Sequence, residues 1–158
     1  MEEKNCPFCV VVSTNGDAYR PLLYQDAHVI AFISFYPVSD YHTLIIPRRH
    51  IASPFEATAE EWGSIELAQS QIHRAIELSR RPPQGYILGI NVGKQGGQTV
   101  DHFHYHIIPR YVGDVENPEG GIRNVIPSKG PYKTLGLDPE KERVKAMASE
   151  LLNILGAA

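Results

Sequence analysis

Three histidines alternate with aromatic residues in His102-Phe103-His104-Tyr105-His106, and Ile107-Ile108 continue the run. Alternation has a period of two, the side-chain period of a β-strand, so the pattern predicts a strand over Val100 to Ile108. His102, His104 and His106 then share one face, while Phe103, Tyr105 and Ile107 point to the other, toward a core. Such a face has three readings. Its histidines are simply solvated, they bind a metal, or they act on a substrate. The ends of the triplet lie about 13 Å apart at roughly 3.3 Å per residue, and a zinc ligand nitrogen sits about 2 Å from its ion. One ion cannot hold all three, although an adjacent pair can share one. Attack by a neutral imidazole on phosphorus, with neighbouring imidazoles holding its tautomer and handling protons, accounts for all three.

Immediately upstream, Asn91-Val92-Gly93-Lys94-Gln95-Gly96-Gly97-Gln98-Thr99 is polar and glycine-rich. Glycines let the backbone approach an anion closely, and Asn91, Gln98 and Thr99 offer neutral donors to phosphate oxygens. By itself the segment is an ordinary hairpin loop. Attached to the histidine strand, it reads as a phosphate cradle.

The rest of the chain supplies a scaffold. Val10-Val11-Val12, Asn15-Gly16 and Leu22-Leu23-Tyr24 predict an N-terminal β-hairpin. His28 to Ile33, Thr43 to Ile46 and Tyr86 to Val92 read as further strands. Thr58-Ala59-Glu60-Glu61 has the form of a capping box, and Trp62, Ile65, Gln69, Ile72 and Ile76 recur at helical spacing, so a helix is expected from Thr58 to Arg80, before Pro82-Pro83. Gly113 to Pro131 reads as loop. Asp138-Pro139 opens a last helix with Val144, Ala148, Leu151 and Leu155 on one face. Strands that mostly follow one another, with one long helix inserted and one appended, argue for an α+β fold: an antiparallel sheet of about five strands with the helices on one side. The expectation is a single domain over 1–158, with a motif-bearing core at about 6–112 and a loop and C-terminal helix over 113–158.

Net charge is −3 and no run of five like charges occurs, so nothing points to nucleic acid or an anionic membrane, and any polyanion is a small ligand. The start Met1-Glu2-Glu3-Lys4 leads into no apolar stretch, and no window approaches the roughly 18 apolar residues of a membrane span. A cytoplasmic location is the default. The two cysteines, Cys6 and Cys9, are spaced as Cys-Pro-Phe-Cys, which suits a metal knuckle or a redox pair. A redox pair would want a strand before the motif and a helix starting at it, and the five residues ahead of Cys6 argue against that strand.

Gly97-Gln98-Thr99-Val100, the triplet, and Ile108-Pro109-Arg110 together resemble the signature of the histidine triad (HIT) family. His42-Thr43-Leu44-Ile45-Ile46-Pro47-Arg48-Arg49-His50 resembles that family's second motif. Order and spacing match over roughly residues 6 to 112. The resemblance implies that His104 forms a covalent nucleotidyl-imidazole, that His106 contacts the phosphate and leaving group, that His102 orients its neighbour, and that His42 packs behind them. Asn91, Gly97, Gln98 and Thr99 match positions around the phosphate. Ser34 stands where many members carry an Asp or Asn that holds the ribose hydroxyls, and Asp40-Tyr41 stands where Pro-Gly is common. Cys6 and Cys9 resemble the metal-bearing members, which implies a structural zinc on Cys6, Cys9, His50 and His102. Gly120 to Pro127 resembles a segment found after the triad in a subset of these proteins.

The activity so implied is hydrolysis at the α-phosphate of AMP-X compounds, either dinucleoside polyphosphates or nucleoside phosphoramidates. Transfer to phosphate on the same scaffold and a non-catalytic nucleotide- or zinc-binding module are the alternatives. A small-molecule nucleotide is the expected partner, with no organic cofactor, and the resemblance implies a homodimer.

Overall fold

The computed structural model describes residues 6–16, 21–128, 130, 134–136, 143 and 147. Two compact units divide the chain, 1–116 and 117–158. All the motifs above except Gly120 to Pro127 belong to the first.

The first unit is an antiparallel five-stranded sheet of order β1-β2-β3-β5-β4, where β1 is Tyr24–Gln25, β2 Val29–Ile33, β3 Thr43–Pro47, β4 Gly85–Ile90 and β5 Tyr105–Arg110. Helix α1 (Pro7–Thr14) precedes the sheet, and helix α2 (Ala59–Glu77) connects β3 to β4. The predicted N-terminal hairpin is therefore a helix. Cys6 is its extended N-cap, Pro7 occupies the first turn, and Asn15 closes it at φ 53° with its N–H on the last carbonyls. Asn-Gly favours positive φ, which a type I′ hairpin and a left-handed helix cap both require; the sequence signal was real but ambiguous. Three valines cost this helix only tenths of a kcal/mol each. Burial of Val11 against Ile30, Phe32, Leu44 and Ile46 outweighs that, since burying a valine-sized side chain contributes roughly 1.5–3 kcal/mol. The returning segment pairs forward instead, Tyr24 with Ala31 and Gln25 with Ile30.

Alternation along β2 and β3 places α2 and the unexpected α1 on opposite faces of the sheet. Val29, Ala31 and Ile45 pack with Ile65, Ala68, Ile72 and Ile76 of α2, whereas Ile30, Phe32, Leu44 and Ile46 pack with Val11 of α1. The two central strands are thus buried on both faces, the reason they read as nearly continuous apolar runs. α2 begins at the predicted capping box, with Thr58 Oγ1 accepting from the Glu61 N–H at 3.2 Å and Glu61 accepting from the Thr58 N–H at 2.8 Å. It stops three residues short of Arg80, at Glu77, with Leu78 as its C-cap.

β5 starts at Tyr105, not Val100. Among the triad histidines only His106 lies in the strand; His102 and His104 sit in the irregular segment before it. Its one sheet-like bond is Phe103 N–H to the Ile51 carbonyl, 2.6 Å. In the second unit Gly121–Val125 forms a short 3-10 turn within the expected loop. The predicted C-terminal helix lies outside the described residues, apart from Arg143 and Met147, which are helical.

Candidate active site and metal centre

Register on the sheet places the first pair of imidazoles. Leu44 and Gly89 flank His106 on its two neighbouring strands, so no β4 side chain crowds its ring. His42, just before β3, shares that face as a diagonal neighbour. His42 Nε2 and His106 Nδ1 are 2.9 Å apart. The direction of this bond follows from the loop behind it. The Val38 N–H donates to His42 Nδ1 at 3.2 Å, so Nδ1 is an acceptor and Nε2 of the neutral ring carries the proton. His42 Nε2–H then donates to His106 Nδ1, which leaves the His106 proton on Nε2. That Nε2 is buried and has no hydrogen-bond partner among the described residues. An unpaired buried donor costs about 1–3 kcal/mol, and a folded chain that keeps one presents it to something.

His104 is oriented the opposite way. Its Nδ1–H donates to the carbonyl of His102 at 2.7 Å; a carbonyl only accepts, so the lone pair of the neutral ring is on Nε2. His104 and His106 ring centroids lie 5.0 Å apart. A nitrogen with a free lone pair and an unpartnered N–H are thereby carried on neighbouring rings. Burial lowers the pKa of His42 and His104 below the ordinary imidazole value. Burial, reinforced by the neighbouring imidazoles His104 and His42, pushes His106 down to about 4. These rings are neutral at pH 7, as both a lone-pair nucleophile and the tautomer chain require.

His102 points elsewhere. Its ring, fully buried, donates from Nε2 to the Pro47 carbonyl at 2.9 Å and turns Nδ1 toward Cys6 Sγ and Cys9 Sγ, each 3.5 Å away. His50 Nδ1 is 3.1 Å from Cys9 Sγ, and the four ligand atoms all lie within 4.8 Å of one another. A tetrahedral ion with sulfur at about 2.3 Å and nitrogen at about 2.05 Å would set S···N near 3.6 Å. The set therefore fits a metal ion with small adjustment, and the Pro47 bond already fixes the ligating tautomer of His102. The helix that a redox pair would want does begin at Pro7, but both sulfurs face imidazoles. The contact between His102 and His104 runs through the His102 backbone carbonyl, while the His102 ring faces the thiols. Burial lowers the pKa of this ring to about 4.

The glycine-rich loop turns through Gly93 at φ 67° and Gly97 at φ 83°, around a 3-10 turn over Lys94–Gly96. Gln98 is fully engaged: Oε1 accepts from the Gly93 N–H at 2.7 Å, and Nε2 donates to the carbonyls of Ala52 and Val100 at 2.9 and 3.0 Å. It clasps the loop to the segments on either side and has no amide proton left for a ligand. The Gly97 N–H is likewise spent on the Lys94 carbonyl at 3.1 Å. Asn91 and Thr99 side chains bear no hydrogen bond among the described residues. Ser34 follows β2, and its N–H donates to the His42 carbonyl at 2.8 Å, so it adjoins the relay. The basic residues of the second motif serve the scaffold. Arg48 Nε donates to the Asp26 carbonyl at 2.7 Å, and Arg49 bonds both oxygens of Glu61 at 3.1 and 2.9 Å.

Two contributors have no mark in the sequence pattern. Val38 acts through a backbone N–H, which any residue but proline supplies. Phe8 packs edge-on against His102 and His104, with centroids 5.8 and 5.2 Å away, and its only signal was its place between the two cysteines.

A family model described as the HIT domain matches residues 15–113. Protein hit of Bacillus subtilis is 38% identical over 112 residues, covering 68% of this chain and 72% of that protein. The adenosine 5'-monophosphoramidase of Schizosaccharomyces pombe is 31% identical over 147 residues, covering 93% of this chain and 96% of its own length. Among solved structures, a Zn-bound histidine triad family protein from Mycobacterium smegmatis superposes with a TM-score of 0.63 at 31% identity, over 73% of this chain and 82% of that one.

Proposed function

The chain belongs to the HIT-domain family, and from that premise we propose that it is a hydrolase that cleaves AMP-X compounds at the α-phosphate through a nucleotidyl-His104 intermediate. The observation that carries this reading is the hydrogen-bonded series Val38, His42, His106, which ends in a buried, unpartnered N–H beside an imidazole whose free lone pair is on Nε2.

In the first step His104 Nε2 attacks the α-phosphorus, the P–N bond forms and the P–X bond breaks, and His106 Nε2–H supplies the proton that X takes away; the negative charge this leaves on the His42–His106 pair is balanced by the positive charge of the nucleotidylated His104 ring. His42 steadies the His106 ring as that proton leaves. In the second step water attacks the phosphorus, returns a proton to His106 Nε2, and releases AMP and free His104. Dividing one displacement into two easier ones is the gain of covalent catalysis. Asn91 and Thr99 are the donors for nonbridging oxygens, Gln98 and Gly97 shape the loop that carries them, and Ser34 faces the sugar. When bound, zinc on Cys6, Cys9, His50 and His102 supplies a structural cross-link between α1 and the segment that bears the His104 acceptor. The chain works as a cytoplasmic homodimer.

The relative from S. pombe supports a phosphoramidate as X. The test is incubation of the protein and of His104→Ala with an AMP-lysine phosphoramidate and with diadenosine polyphosphates, following AMP, ADP and ATP by chromatography. AMP release by the wild type and not by the variant is expected. Silence from both, with nucleotide still bound, would replace the hydrolase by a binding module.

A further inference from the structure

Cys6, the N-cap of α1, and Cys9, in its first turn, both turn their sulfurs to His50 and His102. Phe8 is not one of that set. Its ring reaches past the sulfurs and touches three others: His102 at 5.8 Å, His104 at 5.2 Å and Phe32 at 6.0 Å, with interplanar angles of 79°, 71° and 64°. All three contacts are edge-to-face, the arrangement in which the positive ring edge meets a negative π face. Phe32 is 1% exposed and immobilised among Val11, Ile30, Leu44 and Ile46. Phe8 is therefore held by the core on one side and meets the His104 ring edge-to-face on the other.

His104 has a torsion that its own hydrogen bond does not fix. One hydrogen bond, to the His102 carbonyl, fixes the position of its Nδ1, but an imidazole held at one atom still rocks about its χ2 axis, a broad torsion. His106 flanks the ring at 5.0 Å, yet His106 is the group that moves a proton. We infer that Phe8 is a positioning residue for the nucleophile, clamping the plane of the His104 ring so that Nε2 keeps its aim and its lone pair. The inference rests on His104 being the nucleophile; its spectroscopic test does not.

Long-range 1H–15N imidazole spectra of the zinc-loaded protein report which nitrogen of His104 carries the proton. The wild type is expected to show the Nδ1–H form alone. Phe8→Ala is expected to retain zinc, to populate both tautomers of His104, and to lose about 10²-fold in kcat toward the AMP-lysine phosphoramidate, the scale of a ~1 Å misplacement, with KM moving less. Phe8→Tyr keeps the ring and should recover the wild-type spectrum and most of kcat. If Phe8→Ala fails to fold or sheds zinc, Phe8→Leu fills the volume without the ring edge and answers the same question. A single Nδ1–H tautomer with wild-type kcat in the ring-less variant overturns the inference, as does a loss confined to KM. Turnover surviving in His104→Ala would instead sink the nucleotidyl-His104 intermediate and leave the hydrolase standing, while the tautomer spectra still decide whether Phe8 fixes the His104 ring.

Discussion

Replacing His42 by alanine tests the tautomer series at its least ambiguous link. Both ring nitrogens of His42 are committed within the protein, Nδ1 to the Val38 N–H and Nε2 to His106 Nδ1, so the ring has no nitrogen left for substrate. Its effect must pass through His106. Without the His42 donor, His106 Nδ1 is buried and unpaired, and the proton no longer has a reason to sit on Nε2. A buried neutral hydrogen bond is worth about 0.5–1.5 kcal/mol net, which at 1.4 kcal/mol per tenfold sets a loss of up to about tenfold from the tautomer alone. Loss of support for the proton transfer adds to this, and a positioned proton donor contributes about 10²–10⁴ in total. His42→Ala should thus lower kcat by about 10–10² with KM nearly unchanged. His42→Gln, whose Nε2–H occupies the place of the lost donor, should recover much of it. Steady-state kinetics on the AMP-lysine phosphoramidate give both numbers, and thermal denaturation separates them from unfolding: the cost of the orphaned Nδ1, about 1–3 kcal/mol, lowers Tm by about 2–4 °C per kcal/mol at this chain length. Wild-type kcat in the alanine variant, or an equal loss in the glutamine variant, would refute the assigned direction of the His42–His106 bond.

Two further perturbations address the metal centre and pH. Cys9 lies near both His50 and His102; Cys9→Ser should abolish stoichiometric zinc measured by elemental analysis, and a chelator should lower the Tm of the wild type but not of the variant, since an ion bound only by the folded state stabilises by mass action. For pH, the folded His106 titrates near 4 because it is buried, against about 6.5 in the unfolded chain. Between those values the unfolded chain binds the extra proton, so stability is intact above pH 6.5 and falls as pH drops toward 4, by at most about 3 kcal/mol from this group at 1.36 kcal/mol per unit. Denaturant melts at pH 7, 5.5 and 4.5 measure it, and His106→Asn should flatten the slope.

Much of the fold was legible because it depends on local chemistry. The capping box before α2 and its apolar stripe, the apolar runs of β2 and β3, and the glycine turn ahead of the triad each follow from near neighbours in the chain. Where the expectation failed, a local signal had two structural meanings. Asn15-Gly16 suits a hairpin or a helix cap, and the choice fell to Val11 burying itself against β2 and β3. The triplet alternates like a strand, yet strand pairing begins only at Tyr105, since His102 and Phe103 are drawn out of the ladder by Pro47 and Ile51.

The sequence by itself determined which side chains the fold has to gather: imidazoles in alternation, two thiols three residues apart, and a glycine loop at their head. The tertiary structure alone decided what each imidazole does. A neutral ring has two tautomers, identical in composition, and folding chooses between them: partners far off in the chain set two of the rings, Pro47, 55 residues from His102, and His42, 64 residues from His106, while His42 and His104 take theirs from the Val38 N–H and the His102 carbonyl, which the fold turns toward them. Gln98 shows the same division, its amide being a donor in the sequence and a clasp in the fold, where it donates to the carbonyls of Ala52, 46 residues away, and of Val100. Hydrogen-bond capacity belongs to the residue, but the direction and availability of each bond are set by what folding places opposite it.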